Sequence, residues 1–134
     1  SDAEQALAQR LLPAISAGRL DPPWARDLAR DHDSGEEMVR QLLKKLARQG
    51  AVFQVVKDLF YAAEQTDALA ALIADLARQA ERGAVEAAAF RDATGLGRKR
   101  AIQILEFFDR VGYTRRVRDT HMLRPGVRWQ IIHQ

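Results

Sequence analysis

Apolar residues recur along this chain at two spacings, and the two alternate. Val39, Leu42, Leu43 and Leu46 follow i, i+3, i+4, i+7, the stripe laid down by one face of an α-helix. Past Gly50 the pattern shortens into two β-type runs, Val52-Phe53-Gln54-Val55-Val56 and Leu59-Phe60-Tyr61, on either side of Lys57-Asp58. The succession returns when the chain is laid on itself with an offset of 62 positions. Ala101, Ile104, Leu105 and Phe108 repeat the stripe, Gly112 falls on Gly50, and Val117 falls on Val55. Tyr113-Thr114-Arg115-Arg116-Val117 and His121-Met122-Leu123 then flank a polar tip, Arg118-Asp119-Thr120. Each block reads as an amphipathic helix ended by a glycine in the left-handed conformation, followed by a β-hairpin.

Shorter helical pieces precede both blocks: Trp24 to Asp31, entered through Pro22-Pro23, and Val85 to Ala93, ending at Thr94-Gly95. Ahead of these lie longer helices, Ala3 to Ala17, which Pro13 is expected to kink or shorten, and Glu64 to Arg82. Helix, helix, helix, hairpin is the order of elements in a winged helix. The chain is therefore read as mostly α with short β-hairpins, two winged-helix domains in tandem at 1–62 and 63–134. One irregular helical domain is the alternative, and a hairpin after each third helix argues against it. No Gly/Ser/Pro-rich linker separates the halves, so the Glu64 to Arg82 helix serves as connector and first helix of the second domain, which implies a stiff tandem. Phe107, Phe108 and Tyr113 are assigned to the core rather than to stacking on bases. Trp24 is expected to pack its helix on the first domain, and Trp129 to fasten the C-terminal tail to the second.

Charge changes the picture. The net charge is only +3, but residues 1–94 carry 12 Lys+Arg against 15 Asp+Glu, whereas residues 95–134 carry 9 against 3, namely Glu106, Asp109 and Asp119. Such asymmetry marks an end that faces a polyanion. The absence of cysteine excludes disulfides and thiolate chemistry and fits a reducing cytoplasm. No apolar run approaches the roughly 20 residues that span a bilayer, so no membrane role is expected. The chain begins at Ser1 without a Met and is expected to come from something longer.

Enzyme signatures fail in turn. Gly95-Leu96-Gly97-Arg98-Lys99-Arg100 begins like a dinucleotide fingerprint, but Arg100 stands where the third glycine belongs, no strand leads into it, and it is not a P-loop. His32, His121 and His133 lack a second nitrogen at metal-binding spacing, so no metal site is expected. The carboxylates Asp31, Asp33, Glu36 and Glu37 surround the start of a helix, where Asp33 or Ser34 is expected to cap it and the two glutamates favour its positive end. No catalytic residue, and no cofactor, is assigned.

The basic module differs because its charges converge on one helix start and one wing. Arg98, Lys99, Arg100 and Gln103 are expected to share a surface with Arg115, Arg116, Arg118 and His121, a clamp for a phosphate backbone. Gly95 and Gly97 permit close approach and leave N–H groups at a helix N-terminus for a phosphate. Arg115 and Arg116 are strand neighbours, so they point to opposite faces and do not both reach one ligand. Arg98 and Lys99 suit backbone contact, whereas Arg118 and His121 are placed to stack on or bond an unpaired base. The equivalent helix of the first repeat carries Lys44, Lys45 and Arg48, but Glu36 and Glu37 guard its start, so the first domain is read as a spacer or a protein-contacting module.

The run from Gly95 to Arg116, with Arg98-Lys99, Leu105-Glu106-Phe107-Phe108-Asp109-Arg110, Gly112 and Thr114-Arg115-Arg116, resembles the last winged helix of the bacterial selenocysteine-specific elongation factor, SelB. Leu20-Asp21-Pro22-Pro23-Trp24 and Val56-Lys57-Asp58-Leu59-Phe60-Tyr61 resemble the winged helix before it. The resemblance implies the C-terminal part of a factor that delivers selenocysteyl-tRNA to the ribosome at UGA. Its last winged helix would grip an mRNA hairpin, the selenocysteine insertion sequence (SECIS), through Arg98, Lys99, Arg115 and Arg116. GTP and Mg would belong to other domains, and the chain would act as a monomer in the cytoplasm. Two alternatives from the residues alone stay open: a DNA-binding regulator with its third helix in a major groove, and a protein-interaction scaffold.

Overall fold

The computed structural model describes residues 1–132. The chain divides into two compact units, Ser1–Thr66 and a second from Asp67 onward. In the first, α1 (Asp2–Ala17), α2 (Ala25–Asp31) and α3 (Glu36–Arg48) precede a hairpin of β1 (Val52–Val56) and β2 (Leu59–Ala62). Leu7, Leu11 and Ile15 of α1, Leu28 of α2, and Val39, Leu42, Leu43 and Leu46 of α3 form its core, closed by Val52 and Phe60 of the hairpin. Tyr61, fully buried, donates its hydroxyl to Leu20 O at 2.7 Å and so ties the wing to the turn after α1.

Helix α4 (Ala63–Gln79) is continuous, and the boundary between units falls within it. A single 3-10 turn, Glu81–Gly83, follows, then β3 (Val85–Glu86), α5 (Ala87–Thr94), α6 (Arg98–Arg110), β4 (Thr114–Val117), β5 (Thr120–Leu123) and a last turn of helix, α7 (Trp129–Ile132). Here the hairpin is part of a three-stranded antiparallel sheet in the order β3-β5-β4. No described helix is long and apolar enough to cross a membrane.

Several local expectations are corrected. The stretch read as helix from Val85 begins instead with two residues of strand, which pair Val85 with His121 and Glu86 with Thr120. Pro13 does not shorten α1; the helix runs on to Ala17 with Leu11 and Ile15, both fully buried, anchoring it on either side of the proline. Tertiary burial there outweighs the missing amide hydrogen bond. Neither Asp33 nor Ser34 caps α3. Gly35 holds the N-cap position, Asp33 turns the chain with φ 50°, and Ser34 Oγ donates to His32 O. Gly50 and Gly112 do end their helices at φ 81° and 86°.

The repeat is not in constant register either. Val55 forms a bulge in β1, because Gln54 pairs with Phe60 while Val56 pairs with Leu59. The second hairpin has no such extra residue, and its turn is Arg118-Asp119, with Thr120 already paired to Val117. Equivalence beyond the turn is therefore offset by one: Phe60, not Leu59, corresponds to His121.

The second core gathers Leu69, Ile73, Val85, Phe90, Ile104, Leu105, Phe107, Phe108 and Tyr113. Trp129 is 4% exposed, lies edge-on to Phe107, Phe108 and Tyr113, and donates Nε1–H to Asp67 Oδ1 at 2.9 Å. It thus fastens the tail against this core, whereas Trp24 is half-buried beside Arg26. Trp129→Ala should cost the second unit about 3–5 kcal/mol, the usual range for emptying a buried aromatic site, read from urea unfolding followed by circular dichroism.

Candidate nucleic-acid interface

Helix α6 is the third helix of the second unit, and its start is bare. Gly97 is its N-cap residue with φ −69° and ψ 162°, and no side chain caps the first turn, which contains no acidic residue. Gly97 thus offers no side chain to the N–H groups of that turn, which lie at the positive end of the helix dipole. Arg98 and Lys99 are exposed there and, among the described residues, neither pairs with a carboxylate. They border an open groove of about 630 Å³ that Ile102, Gln103 and Glu106 complete. Gln103 and Arg100 are half-buried, and Arg100 is engaged within the structure. Sequence reading missed Ile102 and Glu106 as groove residues, although their i, i+4 spacing from Arg98 and Ile102 places them on one face.

The wing sorts the remaining candidates. Arg115 and Arg116 are both exposed, and the pairing register puts Arg116 on the face shared with His121 and Arg115 on the face shared with Met122. Arg116 Nε donates to Arg118 O at 2.9 Å, and its guanidinium lies 3.8 Å from Asp119 Oδ1, so it braces the turn. Arg118, at φ 57°, is exposed and, among the described residues, free of carboxylates.

His121 is not on the wing surface. It is 6% exposed, and its Nδ1 donates to Asp109 Oδ2 at 2.8 Å, while Thr114 Oγ1 donates to Asp109 Oδ1 at 2.7 Å. Inward strand alternation places the ring there, which removes it as a platform for an unpaired base. Gly95 takes a left-handed φ of 73° to end α5, but Gly97 does not need its freedom for the fold: a Cβ there would meet no atom within 4 Å. Among the described residues, no three His, Asp or Glu side chains gather as a metal site, and His133 lies outside them.

The first unit presents the contrasting helix start. Gly35 again is a bare N-cap, but Glu36 and Glu37 occupy the first turn. Arg40 binds both, at 2.9 and 2.6 Å, and reaches Asp58 in the wing turn at 2.7 Å.

Two family models cover most of the chain. That of the selenocysteine-specific elongation factor winged helix domain matches residues 1–61, and that of the elongation factor SelB winged helix matches residues 77–123. The solved mRNA-binding domain of elongation factor SelB from Escherichia coli, in complex with SECIS RNA, superposes with a TM-score of 0.84 at 41% identity, covering 92% of this chain and 98% of that one. The chain belongs to the SelB winged-helix family. The selenocysteine-specific elongation factor of Escherichia coli (strain K12) is 41% identical over 61 residues, 46% of this chain. That alignment takes in 9% of the longer SelB protein. Both units are therefore SelB winged helices, and the repeated helix-hairpin pattern is the tandem of that family.

The Arg40 cluster has a pH signature. A hydrogen bond from Arg40 holds the Asp58 carboxyl below its ordinary range. A lowered folded-state pKa contributes stability above the unfolded value and loses it as pH falls through the folded one. The stability difference between the parent and Asp58→Asn should thus be present at neutral pH and shrink below about pH 4, as measured by thermal unfolding across pH.

Proposed function

We propose that this chain addresses a selenocysteine-specific elongation factor to its message: the second winged helix binds an mRNA hairpin, the SECIS element. The observation carrying this reading is the likeness, over 92% of the chain and at 41% identity, to an mRNA-binding domain held with SECIS RNA. The geometry supports it independently. Arg98 and Lys99 project from a bare helix start, where backbone N–H groups and the dipole add to their attraction for phosphate. Gln103 and Glu106 offer hydrogen-bonding groups beside the half-buried Ile102, a combination suited to an unpaired base rather than to a uniform duplex backbone. Arg115 and Arg118 extend the positive surface along the wing.

The chain is a binding module in this reading. The factor's GTP with Mg, its selenocysteyl-tRNA and its ribosome contacts are assigned to the full-length protein acting in the cytoplasm, with this part monomeric. The first winged helix, whose third helix starts with Glu36 and Glu37, acts as a spacer or protein-contacting module.

Binding should be measured for an RNA hairpin with unpaired loop bases, its fully paired stem, and a duplex DNA. The hairpin should bind tightest; equal affinity for the paired stem would end the loop-reading role, and tighter sequence-specific DNA binding would make the chain a DNA regulator. The log–log salt slope should drop by about 0.7 to 0.9 for each phosphate that the Arg98→Ala, Lys99→Ala double variant no longer neutralises. An unchanged slope would take the helix start out of the interface.

Gly97→Ala separates folding from binding. With an ordinary φ and open space around the added methyl, it should lower stability by no more than about 1 kcal/mol, a helix-cap effect. Hairpin affinity should nonetheless fall if a phosphate approaches the Gly97 backbone closely. Titration of the two proteins side by side decides the point.

A further inference from the structure

The polar group formed by buried Thr114 and His121 with the partly buried Asp109 has no counterpart at the same places in the first unit. At the equivalent places stand Ala47, Val52 and Phe60, and there Val52 and Phe60 belong to the core with Ala47 packed against it. At these three places the same scaffold closes its wing on its third helix by apolar packing, and its helix–wing ion pair, Arg40 to Asp58, lies instead at the wing turn. A buried network of this kind is often replaceable by apolar groups of similar shape at no loss of stability. Nor does Asp109 serve its helix. It sits in the last turn of α6, where the helix dipole disfavours an anion.

What the polar group supplies instead is direction. Asp109 lies on α6, Thr114 at the start of β4 and His121 on β5, so one carboxylate bonds the recognition helix to both wing strands. Hydrogen bonds fix an angle that apolar packing leaves adjustable. Thr114, Arg116 and His121 share one face of the hairpin, so a rotation of the wing about its axis would swing Arg116 and the Arg118 turn it braces.

We infer that Asp109, Thr114 and His121 are positioning residues that lock the wing to α6 in the orientation that presents its arginines to RNA. This rests on the RNA-binding reading above. In this role Asp109 acts through the wing.

Two variants of equal charge test it: Asp109→Asn keeps an oxygen that accepts from Thr114 and an amide that donates to His121 Nδ1 in its other tautomer, and Asp109→Leu keeps neither. Removing a carboxylate from a basic surface should by charge alone tighten RNA binding equally in both. The lock predicts instead that Asp109→Leu binds the hairpin about tenfold more weakly than Asp109→Asn, compared where both are folded. In the free protein, amide exchange over Thr114 to Leu123 should quicken in Asp109→Leu and not in Asp109→Asn. The graft of the first unit's residues, Asp109→Ala with Thr114→Val and His121→Phe, should keep the parent's melting temperature and lose affinity. Equal hairpin affinity and equal wing exchange in the Asn and Leu variants would overturn the lock. A parent that binds no hairpin, with wing exchange still differing between the two, would overturn the RNA reading and leave the wing lock standing.

Discussion

A β-hairpin of four or five residues per strand is not stable in water by itself, so each wing exists only by virtue of the helix it packs against. This dependence organises both units. The third helix must be amphipathic with a wide apolar face, and both are: α3 buries Val39, Leu42, Leu43 and Leu46, and α6 buries Ala101, Ile104, Leu105, Phe107 and Phe108. It must also end sharply enough for the chain to turn straight into a strand, which Gly50 and Gly112 achieve in the left-handed region that other residues reach only with strain. Once wing and helix are joined, the helix's polar side and the wing turn become one exposed surface whose charge is free to vary.

That division explains what was legible in the sequence. The helical stripe and the closing glycine are local signals, dictated by burial on one face, and they placed α3 and α6 well. Strand β3 was not legible because two residues carry no period; Val85 and Glu86 become a strand only when β5 lies beside them. The caps failed for a related reason. Asp33 is consumed in turning the chain, and Ser34 bonds to His32 O, so residues with capping chemistry were present but spent elsewhere.

The misplacement of His121 shows how one residue of register decides a site. Reading the tip as Arg118-Asp119-Thr120 leaves His121 at the head of a strand, where a ring could face solvent. The actual turn is one residue shorter, Thr120 is paired, and His121 falls opposite Arg116 on the face turned toward Asp109. A slip of one residue exchanges the two faces of a strand, and nothing in the local composition of Val117 to His121 fixes the turn length. The helix-start candidates were safer, because exposure at positions 98 and 99 follows from the same stripe that buries Ala101 and Ile104.

The two helix starts carry the strongest physical argument about function. Both are preceded by a glycine with no side-chain cap, and both present the positive end of a helix dipole. Glu36 and Glu37 complement that end, and Arg40 neutralises them in turn, so α3 is electrostatically satisfied by its own residues. Arg98 and Lys99 oppose it, at a cost of about 0.3–1 kcal/mol for each charge so placed. Folding by itself gives no reason for cations there. An anion brought from outside relieves the conflict at once, since the dipole, the bare N–H groups and the two side chains all then point their positive charge at the same partner. The unfavourable start of α6 is therefore intelligible as half of the interaction we propose, in which the RNA supplies a phosphate as the other half.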